Sequence, residues 1–300
     1  MNTGWGYDAY HHAEMLLKAR GRRFGDVWWV NNNAADDLGG GRYDDEPCQK
    51  IATAIGKAGA GTDDYIFVID CWQQDTFPIT VNKTKVHIIG LAGPMGQSQK
   101  MKPTGDTAIF VTNADGQYSE IAGFSLSGGA THGCIELAQA VGFWLHHIDF
   151  GFDTVGGTPQ DGVKFIGSNC QEARIEWCRF MGTGGDAMGY LTDHGIRGPN
   201  NILMDNLCIQ NNTFLGLPGE AMHLEYAFGV QLLENVIALP SDTEGKGITL
   251  GVNCKGCVID KNHANYGKTA MTANPYLDLA AAGKNHWLVN YRAGVTILPA

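Results

Sequence analysis

Ile175-Glu176-Trp177-Cys178-Arg179-Phe180 decides how this chain is read, because the same six-residue phrase occurs six times. The earlier copies run Ile121 to Leu126 and Leu145 to Phe150. The later ones run Ile209 to Phe214, Leu232 to Ile237 and Ile259 to Ala264. Their first residues lie 24, 30, 34, 23 and 27 positions apart. The sixth residues read Leu126, Phe150, Phe180, Phe214, Ile237 and Ala264, so five of six are large and apolar. Self-similarity at such a period marks a repeat architecture. The fourth residues read Phe124, Ile148, Cys178, Asn212, Asn235 and Asn262. Asn tolerates left-handed backbone and bonds its own backbone at bends. Three of them at one register predict a ladder of stacked amides inside a turn; the alternative is that Asn is merely common in loops.

Outward from each phrase, a glycine-rich corner leads to a second short run. These runs are Gly133 to Leu137, Gly162 to Ile166, Gly185 to Met188, Ala221 to Leu224, Gly247 to Leu250 and Thr269 to Met271. They alternate apolar and polar residues, the pattern of a half-buried strand. A unit of about 25 residues is too short for a strand–helix–strand crossover and for a propeller blade of about 40. It fits a coil whose strands each pair with their copies in the next coil, about 4.8 Å away. The prediction is an all-β solenoid, a right-handed parallel β-helix of about seven coils whose inner faces are buried by stacking.

With these phrases in place the chain resembles the pectate-lyase-like β-helix superfamily, over roughly residues 26–272. The start adds to the resemblance: Val27-Trp-Trp-Val30, an Asn/Asp/Gly loop at 31–45, Glu46 to Ala58, then Asp64 to Ile69. In that superfamily a strand and a short capping helix precede the first coil. Pro47 suits a helix start, and Ile51, Ala54, Ile55 and Ala58 share one helical face. The expected organisation is an N-terminal helical anchor (1–25), an entry strand, loop and capping helix (26–85), coils (86–272), and a C-terminal cap or assembly segment (273–300). Within the anchor, Tyr10, Ala13, Leu16 and Leu17 share a face above a basic end. That helix either docks on a partner or packs on the side of the rod.

The outward positions beside the first strand are Ala122, His146, Glu176, Gln210, Leu233 and Asp260; on the second they include Glu136, Lys164, His223 and Thr249. His146 and Glu176 would sit one coil apart, near 5 Å, as would Glu136 and Lys164. If the chain is an enzyme, His146 and Glu176 are the candidate proton-transfer pair. A glycosidase would need two carboxylates about 5–9.5 Å apart, and Glu176 has only the loop acids Asp149, Asp153 and Asp186 for company. The competing expectation is that such neighbours are ordinary surface pairs. The Asn-Thr-Asp, Asp-Asp, Gly-His-Gly and Arg-Ile-Lys motifs of the polygalacturonase-like members do not occur, nor do the clustered acids of pectate lyases. Cys254-Lys-Gly-Cys257 with His263 has partial zinc spacing, but no second Cys pair follows. Small buried thiols are the simpler reading. Trp28, Trp29 and Trp144 could stack on sugars or serve packing.

Lys+Arg number 21 and Asp+Glu 31 among 300 residues, a net charge of −10. This lacks the basic footprint of nucleic-acid binding. Hydrophobic residues at 44% exclude disorder, and 41 glycines without a three-residue period exclude collagen. No run of 18 apolar residues can span a bilayer, and the start lacks a signal-peptide pattern. The expectation is a protein kept in the cytosol, released by lysis, or already processed. Eight cysteines at this length imply no disulfide framework in a reducing compartment.

With no recognisable acid/base set, the resemblance points first to a structural component of a bacteriophage particle. That would be a capsid-associated decoration or minor head protein, or a fibre or spike, assembled in the host cytoplasm as a homo-oligomer, the trimer being frequent in that setting, and bound to other virion proteins through its termini. The alternative is a polysaccharide-degrading enzyme, lyase or glycoside hydrolase of the phage depolymerase type, acting on a cell-surface or acidic polysaccharide. Neither reading calls for a cofactor or a metal ion.

Overall fold

The computed structural model describes residues 25–34, 40–42, 46–71, 75–91, 99–103, 105–152, 159–184, 189–240, 246–266, 273–292 and 295–299. The expected N-terminal helix lies outside them, as do the runs at 185–188 and 269–271. No helix among the described residues is long and apolar enough to cross a membrane.

The chain is a parallel β-helix. Three long sheets run along it, here sheets I, II and III, and a short three-stranded ladder closes one corner. From Val86 to Asp278 each coil passes through I, III and II in that order, and these strands pair in parallel with their copies one coil away. Sheet I has ten strands, more than the phrases predict. The entry strand Val27–Asn31 and Asp64–Asp70 already stack in register, Val27 on Tyr65 and Tyr65 on His87. At the far end His286–Trp287 and Asn290–Arg292 extend sheets I and III, and Val295–Ile297 then pairs antiparallel to the latter.

The phrases fall where the repeat places them. Ile121, Leu145, Ile175, Ile209, Leu232 and Ile259 form one column inside sheet I. The sixth residues form a second column inside sheet III. Phe150, Phe180 and Phe214 stack there with ring centroids 4.6 Å apart, interplanar angles of 10° and 8°, and almost no exposure. Each such ring contributes about 1.5–3 kcal/mol by burial, and each stacked pair about 0.5–1.5 more.

The amide ladder exists and gains a fourth member. Asn212, Asn235, Asn262 and Asn290 are buried in successive coils. Nδ2 of Asn212, Asn235 and Asn262 donates to Oδ1 of the next Asn at 3.1, 2.9 and 3.0 Å. Each amide also donates to the carbonyl of the first phrase residue in the preceding coil, Ile175, Ile209, Leu232 or Ile259. The left-handed backbone sits one residue earlier, at the third phrase position. Gly123, His147, Trp177, Asn211, Glu234 and Lys261 have φ between 51° and 79°. The ladder is therefore a buried hydrogen-bond column beside the bend, and the bend itself is made by residues of no common type.

The second runs hold at four of six places, in strands Gly133–Ala138, Asp161–Ile166, Met222–Leu224 and Ile248–Leu250. In the other two coils sheet II is built by Ile196–Gly198 and Tyr276–Asp278. The corner between sheets III and II varies in length from coil to coil, which displaces the strand from its expected place.

The capping helix α1 (Ile51–Lys57) closes the first end with Ile51, Ala54 and Ile55 buried. Its start is held by a distant carboxylate: Asp75 accepts from the backbone N–H groups of Ile51 and Ala52 at 3.2 and 3.1 Å. Beside it Asp64 accepts from Asp26 N, Thr62 Oγ1, Gly59 N and Trp28 Nε1. Burial alone would raise its pKa, but these donors hold it below the ordinary value. At the other end Asp278 plays the same part for Trp287 and Asn285.

Candidate functional site

Strand alternation sends two residues of each sheet I strand outward. One outward column is Tyr65, His87, Glu120, Trp144 and Arg174; its neighbour runs Ala122, His146, Glu176 and Gln210. The second column matches the outward positions read from the phrases. The first precedes each phrase by one residue and contains the functional cluster.

Glu120 is the centre of that cluster. His87 Nδ1 and His146 Nε2 each hold one of its carboxylate oxygens, at 2.6 and 2.5 Å. Burial would raise the pKa of this nearly inaccessible group. The two imidazole hydrogen bonds and their charge overcome that and hold it at about 2. Glu120 is thus a fixed anion at any ordinary pH. Tyr65 stacks on His87, with centroids 4.4 Å apart. His87 Nε2 lies 3.5 Å from Asp63, which itself faces Lys85 at 3.9 Å.

His146 and Glu176 are cross-strand neighbours, Cα partner to Cα partner, but each bonds elsewhere. His146 bonds Glu120 and, through Nδ1, His147 at 2.7 Å. Burial, then His146, lowers the His147 pKa. Glu176 is buried, and both its oxygens accept hydrogen bonds, from Trp144 Nε1 at 3.0 Å and Gln210 Nε2 at 2.8 Å. It fixes the Trp144 indole, whose ring lies 4.1 Å from that of His146. Among the loop acids, Asp149 is clamped by both arms of Arg179 at 2.6 Å, while Asp153 and Asp186 lie outside the described residues.

A groove of about 810 Å³ opens over this column, lined by Tyr65, His87, Glu120, Trp144, Arg174 and Tyr118 among others. Tyr118 on one side and Trp177 at the opposite edge of sheet I are 48% and 46% exposed. Both carry positive φ, 56° and 51°, a conformation bulky residues rarely adopt. The Tyr118 ring is so close to Gly142 that a Cβ there would meet it at 2.4 Å.

The zinc-like spacing does not converge. Cys254 and Cys257 point into the core, against the Leu224 and Ala227 carbonyls, while His263 is exposed and stacks on Tyr291. Trp28 and Trp29 are packing residues, Trp28 bonded to Asp64 and Trp29 buried against Phe67 outside sheet I.

Fold and groove together define a parallel β-helix with a polar, aromatic cleft on one sheet. No family model and no curated protein matches the chain. Solved structures that do resemble it include the native and selenomethionine crystal structures of GH136 lacto-N-biosidase from Eubacterium ramulus. Their TM-scores are 0.56 and 0.57, with 12% and 13% identity over 95% and 93% of this chain. The chain spans 58% of the length of each. At that identity the likeness shows the fold.

Proposed function

We propose that this protein is a glycan-cleaving enzyme that seats its substrate across the outer face of sheet I. The observation that carries the reading is the ionised Glu120 clamped by His87 and His146 in the wall of an open groove that the exposed Tyr118 and the half-buried Trp144 also line. Exposed indole and phenol rings offer sugars a flat apolar face with a polar handle. The similar structures belong to an enzyme titled a lacto-N-biosidase, and that supports a carbohydrate substrate.

The chemistry is led by an imidazole. His87 donates Nδ1–H to Glu120, the orienting logic of a carboxylate–histidine dyad, and its Nε2, 3.5 Å from Asp63 at the groove, becomes the basic nitrogen when a bound substrate opens that contact. Glu120 cannot serve as the proton donor that glycoside hydrolysis needs, because its pKa is depressed rather than raised. Proton abstraction beside a sugar carboxylate held by the exposed Arg174 suits the site better: His87 Nε2 takes the C–H proton, the C–H electrons form the double bond as the glycosidic C–O bond breaks, and the leaving oxygen takes a proton from the His87 imidazolium or from water, giving an unsaturated sugar and a free hydroxyl. His87 is the catalytic base, Glu120 and His146 are positioning residues, and Arg174 binds the anion.

Incubation with a panel of acidic and neutral polysaccharides tests this, following ultraviolet-absorbing unsaturated ends and reducing ends separately. Wild type is expected to release unsaturated ends from an acidic glycan, and a folded His87→Ala variant to lose at least 100-fold of that rate. Reducing ends alone would replace elimination by hydrolysis. Equal activity in His87→Ala would remove the site. Carriage on a bacteriophage particle, as a trimer bound to other virion proteins, is a separate proposal that glycan cleavage does not need; mass spectrometry of purified particles tests it.

A further inference from the structure

A second cluster lies on another face, where the corner between sheets III and II meets sheet II. Val163, Ile196 and Met222 pair in register, so the residues two places before them, Asp161, His194 and Glu220, occupy one position in three successive coils. His223 stands on the last of these strands. We propose that His194 Nε2, Glu220 Oε2 and His223 Nδ1 form a binding site for one divalent transition-metal cation of the zinc class.

The three atoms already converge. His194 Nε2 is 2.7 Å and His223 Nδ1 3.6 Å from Glu220 Oε2, and one atom from each residue falls within 4.8 Å of the others. Bonds of about 2.0–2.2 Å to a tetrahedral ion separate its ligands by roughly 3.3–3.5 Å, so the His194–Glu220 contact has to open while the Glu220–His223 spacing already fits. The far nitrogen of each imidazole is tied to an acid. His194 Nδ1 faces Asp161 Oδ1 and Asp193 Oδ2, both at 3.1 Å, and His223 Nε2 faces Glu225 Oε1 at 2.6 Å. His194 Nε2 now donates to Glu220; once an ion displaces that proton, the acids behind the rings hold the tautomer in which the near nitrogens carry lone pairs, as carboxylates do behind metal-bound histidines.

An independent sign is Asp161 itself. It is fully buried, and its Oδ2 has no hydrogen-bond partner among the described residues. It also belongs, with Asp193 and His194, to a second group of atoms within 4.8 Å of one another. A buried carboxylate with an idle oxygen needs positive charge close by. Four acids, Asp161, Asp193, Glu220 and Glu225, meet one guanidinium here, that of Arg197, 3.8 Å from Asp193. The two imidazoles stand among the same acids, and a divalent ion would take the place of the protons they hold between those acids. Two nitrogens and one oxygen select a borderline-soft ion over calcium or magnesium. A pocket of about 190 Å³, lined by His194, Arg197, His223 and Glu225 among others, gives entry and leaves a coordination position for water or an anionic ligand.

The test is a titration of the full chain, stripped with chelator, with cobalt(II) and then zinc(II), reading visible ligand-field bands, stoichiometry and melting temperature. One equivalent, intense cobalt bands displaced by zinc, and a higher melting temperature are expected. His223→Gln, at a half-exposed position, and Glu220→Gln should each weaken binding at least tenfold while circular dichroism is unchanged. Asp161→Asn should keep the bands but bind about 10–100-fold more weakly. Absence of stoichiometric binding in wild type, or unchanged affinity in His223→Gln, would overturn the site. So would loss of binding in His146→Asn with retention in His223→Gln, which would move the ion to sheet I.

Discussion

At the scale of single residues, the exposed side chains at the bends are the most informative. Trp177 holds φ at 51° with nearly half its surface in water, its ring 5.5 Å from that of His147 in the preceding coil. Gly adopts this backbone freely, while a bulky residue pays about 1–3 kcal/mol of strain. Trp177→Gly should therefore leave thermal stability unchanged or raise it, while glycan affinity measured by calorimetry falls. Glu120 makes the pH prediction. Its folded pKa, about 2, lies below the ordinary 4.5, so its contribution is fully present above pH 4.5 and is lost as pH falls through about 2. Denaturant midpoints measured across that window should drop in wild type and drop less in Glu120→Gln. The third phrase position was illegible in the sequence for a physical reason: Gly123, His147, Trp177, Asn211, Glu234 and Lys261 share a backbone state but no side-chain chemistry.

At the scale of elements, the strands and the amide column were legible because inward positions are constrained by their copies above and below. Ile175 can be nothing but large and apolar, and Asn235 must be able to give and take hydrogen bonds at once. Asn235 Oδ1 accepts from both the backbone N–H and Nδ2 of Asn212, and its Nδ2 serves Ile209 O and Asn262 Oδ1. Asn235→Ala strands these buried groups, at about 1–3 kcal/mol each. Chemical denaturation should show a loss of about 3 kcal/mol or more, against a few tenths for Glu234→Ala next door, half exposed on the surface. Outward positions carry no such constraint. Glu120 and His87 are hidden from the repeat because they stand just before the phrase, at a second outward position that the phrase itself does not contain. His194 went unread for a different reason. A long corner pushes its strand to Ile196–Gly198, and a single inward isoleucine followed by Arg-Gly leaves almost no alternation to detect.

At the scale of the molecule, stacking converts periodic sequence into two rows of outward side chains on a straight, rigid face. Residues about 80 positions apart, Tyr65 and Trp144, thereby share one groove without any loop having to close over them. The same geometry lets a chain-like ligand contact several coils at once, which is how a fold with short strands can hold an extended substrate. The most direct measurement is a crystal structure of the His87→Ala variant soaked with an oligosaccharide of the glycan it fails to cleave. The account predicts sugar rings along sheet I between Tyr118 and Trp177, with a carboxylate at Arg174 and the vacated imidazole position beneath the scissile bond. Sugar bound on another face, or none bound by a protein that also leaves every glycan intact, would contradict it.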